Sequence, residues 1–321
     1  MMPGDLAIVL SGGGAKGAFQ VGVLDELITK RKVKPKIVVG TSTGAIQALG
    51  VAQNDVPGLV AQWMGLKGNS DIYTKRPLGV GGALLGEKAI YSSAPLKKML
   101  KTFADDDKVK RSKIELRLGV VNLGTGLFRT IDQKVPGLHN WVYASCAMPL
   151  FFDPLLTRAS DGTEEQWVDG GVRDVTPLGT ALDFNPRGVI VIRASPKAEV
   201  GAVRTYGNLV DIALRAVAIQ QSEVSMNDLA NATMINDLIA AREVQFRLLE
   251  AQGITGSAAH ALLQPWDLQL AKYRFAPIRI IEPAQEYCDT LEFNPAKIRT
   301  AMEAGRQAVA DNWAALQPLL S

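Results

Sequence analysis

The chain has 321 residues, 47% hydrophobic and 21% charged, enough to bury a large core in one domain or a core with an insertion. Thirty-five Lys and Arg against 32 Asp and Glu give a formal charge of +3, too small to point to nucleic acid or another polyanion. Two cysteines and two histidines make no zinc pattern and fit a reducing compartment, so neither a metal nor a cofactor is expected.

No run of 18 uncharged apolar residues is present, and the N-terminal MMPGDLAIVLSG lacks a basic segment before its short apolar run. The opening therefore reads as a core strand, not a signal peptide, and a cytoplasmic location is expected. The basic runs KRKVKPK (30–36) and KVKRSK (108–113) read as solvated faces, with transient peripheral contact to an anionic lipid surface as the other reading.

In chain order, DLAIVL (5–10) is a buried strand, and GAFQVGVLDELITKR carries Phe19, Val23, Leu24, Leu27 and Ile28 at helical spacing. KIVV (36–39) is a second strand and TGAIQALGVAQN a second helix. Strand–glycine–helix twice in fifty residues predicts a three-layer α/β fold, a mostly parallel central sheet flanked by helices. VPGLVAQWMGL reads as a short helix, 65–93 as an apolar, glycine-rich loop or lid, and APLKKMLKTFA as a helix before a charged turn, DDDKVKRSK. IELRLGVVNLGTGLFRTI reads as a hairpin, and GLHNWVYASCAM as a helix stopped by Pro149.

EEQWVDGG and RGVIVIRA are strands on either side of a brief helix in PLGTALDF. The stretch 203–252 keeps a 3–4 residue apolar rhythm and is expected to break into two or three helices, within a cap or flank over 203–270. APIRIIEP is a late strand, and a closing helix begins near Pro295. Residues 1–321 are expected to form a single domain.

Gly12, Gly14 and Gly17 satisfy G-x-G-x-x-G between a strand and a helix. A dinucleotide fingerprint also wants an acidic residue about 20 positions on, and the second strand ends instead in Val39-Gly40-Thr41-Ser42. A P-loop fails because Lys16 is followed by glycine. The same unpaired amides suit an oxyanion, each donor adding about 3 kcal/mol in the transition state, with Gly13, Gly14 and Ala15 the first choices. Lys16 is expected to brace the loop or to lie on the surface.

Gly40-Thr41-Ser42-Thr43-Gly44 fits G-x-S-x-G between strand and helix, the setting of a nucleophile elbow, although the pentapeptide alone also fits a helix N-cap. The base must come from elsewhere. Ser42, Asp169 and His260 have the α/β-hydrolase chain order, but no strand before His260 would hold its imidazole, and His139 is out of order. Asp169, at the carboxyl end of the WVD strand before two glycines, is the better candidate for a Ser–Asp dyad.

SGGGAKGAFQVGVL, VVGTSTG and VDGG together resemble the patatin-like phospholipase family, and ASCAMP (144–149) resembles its A-S-x-A-x-P segment. The resemblance spans residues 5–195 and implies a lipid acyl hydrolase, related in its core to cytosolic phospholipase A2, with a Ser–Asp dyad and no histidine. It puts the nucleophile on Ser42, the base on Asp169 and the oxyanion loop on Gly12–Gly17, and makes Ser145 structural. Phospholipids, lysophospholipids or neutral acyl esters are the implied substrates. A soluble carboxylesterase or thioesterase, or a noncatalytic lipid-binding protein, are the alternatives. Leu78, Val80, Leu84, Leu85 and Ile90, with Trp141, Met148, Leu150, Phe151 and Phe152, are expected to line an acyl groove.

Overall fold

The structure, a computed structural model, describes residues 5–79, 81–82, 86–197 and 205–320. The glycine turn joins β1 (Leu6–Leu10) to α1 (Ala18–Leu24), which continues as a π-helical stretch over Asp25–Lys30. β2 (Ile37–Thr41) passes through Ser42 into α2 (Thr43–Ala52), followed by α3 (Val56–Gly65). The short strands β3 (Thr74–Lys75) and β4 (Tyr91–Ser92) pair with each other, and α4 (Ala94–Phe103) and α5 (Asp106–Ser112) come next. β5 (Glu115–Asn122) and β6 (Phe128–Asp132) form the expected hairpin, then α6 (Leu138–Cys146), β7 (Leu155–Arg158), β8 (Glu164–Asp169), α7 (Leu178–Leu182) and β9 (Gly188–Ile192). The chain closes with α8 (Leu209–Ala251), α9 (Gly256–Leu270), β10 (Ile278–Ile281) and α10 (Pro295–Leu320).

The main sheet runs β10-β9-β1-β2-β5-β8-β7, with β6 also on β5. The first five strands are parallel, while β8 and β6 pair antiparallel to β5 and β7 antiparallel to β8. Side chains alternate between two helical layers, as the two-residue period of a strand requires. Leu6, Ile8 and Leu10 of β1 pack with Phe19, Leu49, Leu59 and Met302 from α1, α2, α3 and α10. Ala7 and Val9 face the other way, toward Leu178 and Ala181 of α7 and Leu229 of α8. The three-layer, mostly parallel α/β architecture is thus the one the sequence predicts.

Register along β5 positions the site. β2 pairs with β5 as far as Thr41 opposite Gly119, and β8 takes over one residue later, with Asp169 opposite Val120. The last residue before Ser42 and the last residue of the WVD strand therefore sit beside consecutive positions of one strand.

Two expectations need correction. DDDKVKRSK is the helix α5, not a turn: the Asp105 side chain caps the Lys108 N–H at 2.9 Å, with acids in the first turn and bases in the last. Residues 209–251 form one helix, since no glycine or proline interrupts them and Asn208 caps the Asp211 N–H at 2.9 Å. β7 is an element the sequence reading leaves unassigned, and α9 falls within the helical cap or flank expected over 203–270. Among the described residues no helix is long and apolar enough to cross a membrane.

Candidate active site

Ser42 adopts φ 57 and ψ −129, a backbone region that costs a non-glycine residue energy and occurs mainly where neighbours enforce it. Gly44 is part of that enforcement: a Cβ there would run into the Leu10 carbonyl, so only glycine lets α2 start against the end of β1. The Ser42 N–H donates to Ser145 Oγ at 2.9 Å, and the Ser145 hydroxyl donates to the Gly119 carbonyl at 2.6 Å. The Cys146 thiol lies 3.1 Å from the Ser42 carbonyl as a donor, and the Ala147 carbonyl accepts from the Asp169 N–H at 3.0 Å. Three consecutive residues at the end of α6 thus hold both the elbow and the end of β8.

Ser145→Ala is expected to leave the Ser42 amide unsatisfied and to cost about 1–3 kcal/mol of stability. Thermal unfolding should show that loss as a lowered melting temperature.

The Asp169 side chain is 2% exposed. Burial pushes its pKa up to about 7, against the opposing effect of hydrogen bonds from the Ser42 side chain and the Gly171 N–H, the latter at 2.7 Å. Five residues on, Asp174 buries an Oδ1 without a hydrogen-bond partner. Burial first, and then Asp228 of α8, push its pKa up to about 7 as well. The resulting cost to folding is absent below the ordinary value of 3.8 and complete above about 7. Asp174→Asn should therefore raise the melting temperature at about pH 8 and leave it little changed near pH 4.

The glycine turn is pinned from three sides. Gly12 N–H donates to the Val175 carbonyl and Ala15 N–H to the Thr290 carbonyl, both at 2.9 Å, and the Lys16 ammonium pairs with Glu286 at 2.8 Å. Lys16 is a brace, as expected. Ala15 departs from expectation: its amide is consumed by Thr290, so it is not free to face a reacting oxygen. The amides of Gly13 and Gly14 donate to no described residue, and both glycines line one cavity with Ser42 and Asp169.

That cavity is polar at the end formed by Ser42, Asp169, Gly13, Gly14, Gln221 and Thr290, and Thr43 and Gln62 also line it. Its body is apolar, with Leu59, Trp63 and Leu66 from α3 and Leu96, Met99 and Phe103 from α4. Of the expected groove residues only Met148 and Phe152 line it. Leu78 and Leu150 are exposed, Trp141 packs edge-on against Trp167, and Phe151 and Ile90 pack behind Met148 and Phe152 in one core cluster without lining the cavity themselves. Val80, Leu84 and Leu85 lie outside the described residues. The helical spacing of 59, 63 and 66 and of 96, 99 and 103 marks inward faces, but in sequence an inward face looks the same whether it meets a void or a neighbour. His260 sits against Phe246 on α9, and neither histidine lines the cavity.

The sequence model of the patatin-like phospholipase family matches residues 8–182, from β1 to the end of α7. YqhO of Bacillus subtilis (strain 168), itself described as uncharacterized, is 29% identical over 212 residues, which is 59% of this chain and 71% of that protein. The crystal structure of VipD from Legionella pneumophila aligns with 98% of this chain and 67% of its own, at 16% identity and a TM-score of 0.46. Since the matched span exceeds half the chain and carries the glycine turn, the elbow and Asp169, this protein belongs to the patatin-like phospholipase family.

Proposed function

We propose that the protein hydrolyses carboxylic esters of lipids, with Ser42 as nucleophile and Asp169 as its base. The observation that carries this reading is the joint placement of a strained Ser42, a buried Asp169 and two unclaimed amides at the polar end of an apolar cavity. As Ser42 Oγ bonds to the ester carbonyl carbon, its proton passes to Asp169 and negative charge collects on the carbonyl oxygen. The Gly13 and Gly14 amides stabilise that charge, each by about 3 kcal/mol. The bond to the alcohol oxygen then breaks, with the proton moving from Asp169 to the leaving alcohol. Water attacks the acyl-enzyme by the same route, releasing fatty acid and restoring Ser42.

The acyl chain occupies the apolar body of the cavity, where α3 and α4 exclude water from it. The test is to incubate purified protein with esters of graded chain length and measure released fatty acid, with fluorophosphonate labelling of Ser42 in parallel. Long-chain esters should be preferred. A preference for short, water-soluble esters would mark a carboxylesterase instead, and absence of both labelling and turnover would reject hydrolysis. Met99→Trp, which fills the body of the cavity, should shift kcat/KM from long toward short chains by about tenfold or more.

A further inference from the structure

A second cavity, lined by Ser11, Gly12 and Lys16 of the glycine turn, meets the first at Gly13, Gln221 and Thr290. It is more polar than the first, although Val175, Pro196 and Ala218 also line it. It is lined by the hydroxyls of Ser11, Ser195, Ser222 and Ser225 and by the buried side chains of Lys16 and Arg193. We propose that this chamber receives the alcohol portion of the substrate and selects an uncharged, hydroxylated alcohol such as a glyceryl group. The proposal rests on the hydrolase reading above.

The direction follows from the geometry of an ester. With the carbonyl oxygen on the Gly13 and Gly14 amides and the acyl chain in the apolar cavity, the alcohol oxygen leaves from the opposite side of the carbonyl carbon. We place it toward the junction of the two cavities, where Gln221 and Thr290 line both. Gln221, at the junction, makes no hydrogen bond with any described residue, so its carboxamide can bind the departing alcohol. Ser222 follows it on α8, and its hydroxyl likewise has no partner among the described residues. Ser195 lies 3.4 Å from the Lys16 ammonium.

Charge decides which kind of alcohol fits. Lys16 is paired with Glu286 at 2.8 Å and Arg193 with Glu282 at 2.5 Å, so each cation at the chamber already has a carboxylate. A phosphate entering there would meet Glu286 and Glu282 as well as the two cations, so the chamber offers it no net opposite charge. Hydroxyl groups need only donors and acceptors, which Gln221, Ser195 and Ser222 supply.

The experiment compares three esters of one medium-length acyl chain, kept below their aggregation limit: the monoacylglycerol, the methyl ester and the lysophosphatidylcholine. For the wild-type protein the ratio of kcat/KM for the glyceryl over the methyl ester should be about tenfold or more, with the lysophospholipid below the glyceryl ester. Ser222→Leu, which places an apolar side chain in the chamber, should bring the glyceryl-to-methyl ratio close to one, chiefly through KM. A flat ratio in the wild type, a preferred lysophospholipid, or an unchanged ratio in Ser222→Leu would each overturn the assignment. If none of the three is cleaved and long-chain esters also fail, the hydrolase reading itself falls; cleavage without discrimination removes the chamber alone.

Discussion

Asp169→Asn is expected to lower kcat by about 10³–10⁴-fold while the protein stays folded. An amide retains the acceptor for the Gly171 N–H but cannot take a proton from Ser42. Stability should not fall, and the sign can be worked out. Burial raises the folded pKa of Asp169 to about 7 from 3.8, so the folded state holds the proton more tightly than the unfolded one. Ionisation therefore costs stability, increasingly from the lower value and in full above the upper. Asn removes that cost, so its melting temperature at about pH 8 should equal or exceed the wild type's. The same shift sets the pH profile: a base must be ionised, so kcat/KM should fall about tenfold per pH unit below about 7. Ser42→Ala should lose about 10⁴-fold or more and all fluorophosphonate labelling. Full activity in Asp169→Asn would turn attention to His260 despite its place on α9.

Gly14→Ala should lower kcat/KM by about 10²-fold or more, a large effect for one methyl group. The residue has φ +59, which costs an alanine about 1–2 kcal/mol. The greater difficulty is steric, because the added Cβ would overlap the Thr290 carbonyl, the acceptor that holds the Ala15 N–H. The turn must move, and the Gly13 and Gly14 amides move with it. In the oxyanion role proposed for them these donors act on charge that exists only in the transition state, so the loss should fall on kcat more than on KM. A circular dichroism spectrum near wild type, a melting point lowered by the strain, and a slowed rate of Ser42 labelling at a temperature where the variant is folded would complete the expected pattern.

The parts of this protein legible from sequence are those written in local chemistry. Glycines around Ser42, the two glycines after Asp169 and the alternation of β1, β2 and β9 each announce a turn, a strand end or a buried strand over a few residues. Ser145 was legible only through resemblance, since nothing local distinguishes it from any serine late in a helix. Ala15 was misjudged because its amide is taken by Thr290, a residue 275 positions away. Met148 and Phe152 line the cavity as expected, whereas Leu78, Ile90, Trp141, Leu150 and Phe151 do not. Glycine-rich apolar stretches such as 78–90 look open in one dimension, whereas the void is shaped by how α3 and α4 stand apart in three. The continuous α8 was hidden by a prior about helix length, although its sequence contains no breaker.

The tie formed by Ser145, Cys146 and Ala147 works like a calliper with one jaw on each reactive group. Because all three contacts come from adjacent residues, the gap between nucleophile and carboxylate is gauged by a single short piece of backbone and not by the summed tolerances of a sheet. Motions of α8, or substitutions in remote loops, can then alter who enters without loosening the chemistry. Any change that unwinds the last turn of α6 reaches both partners at once.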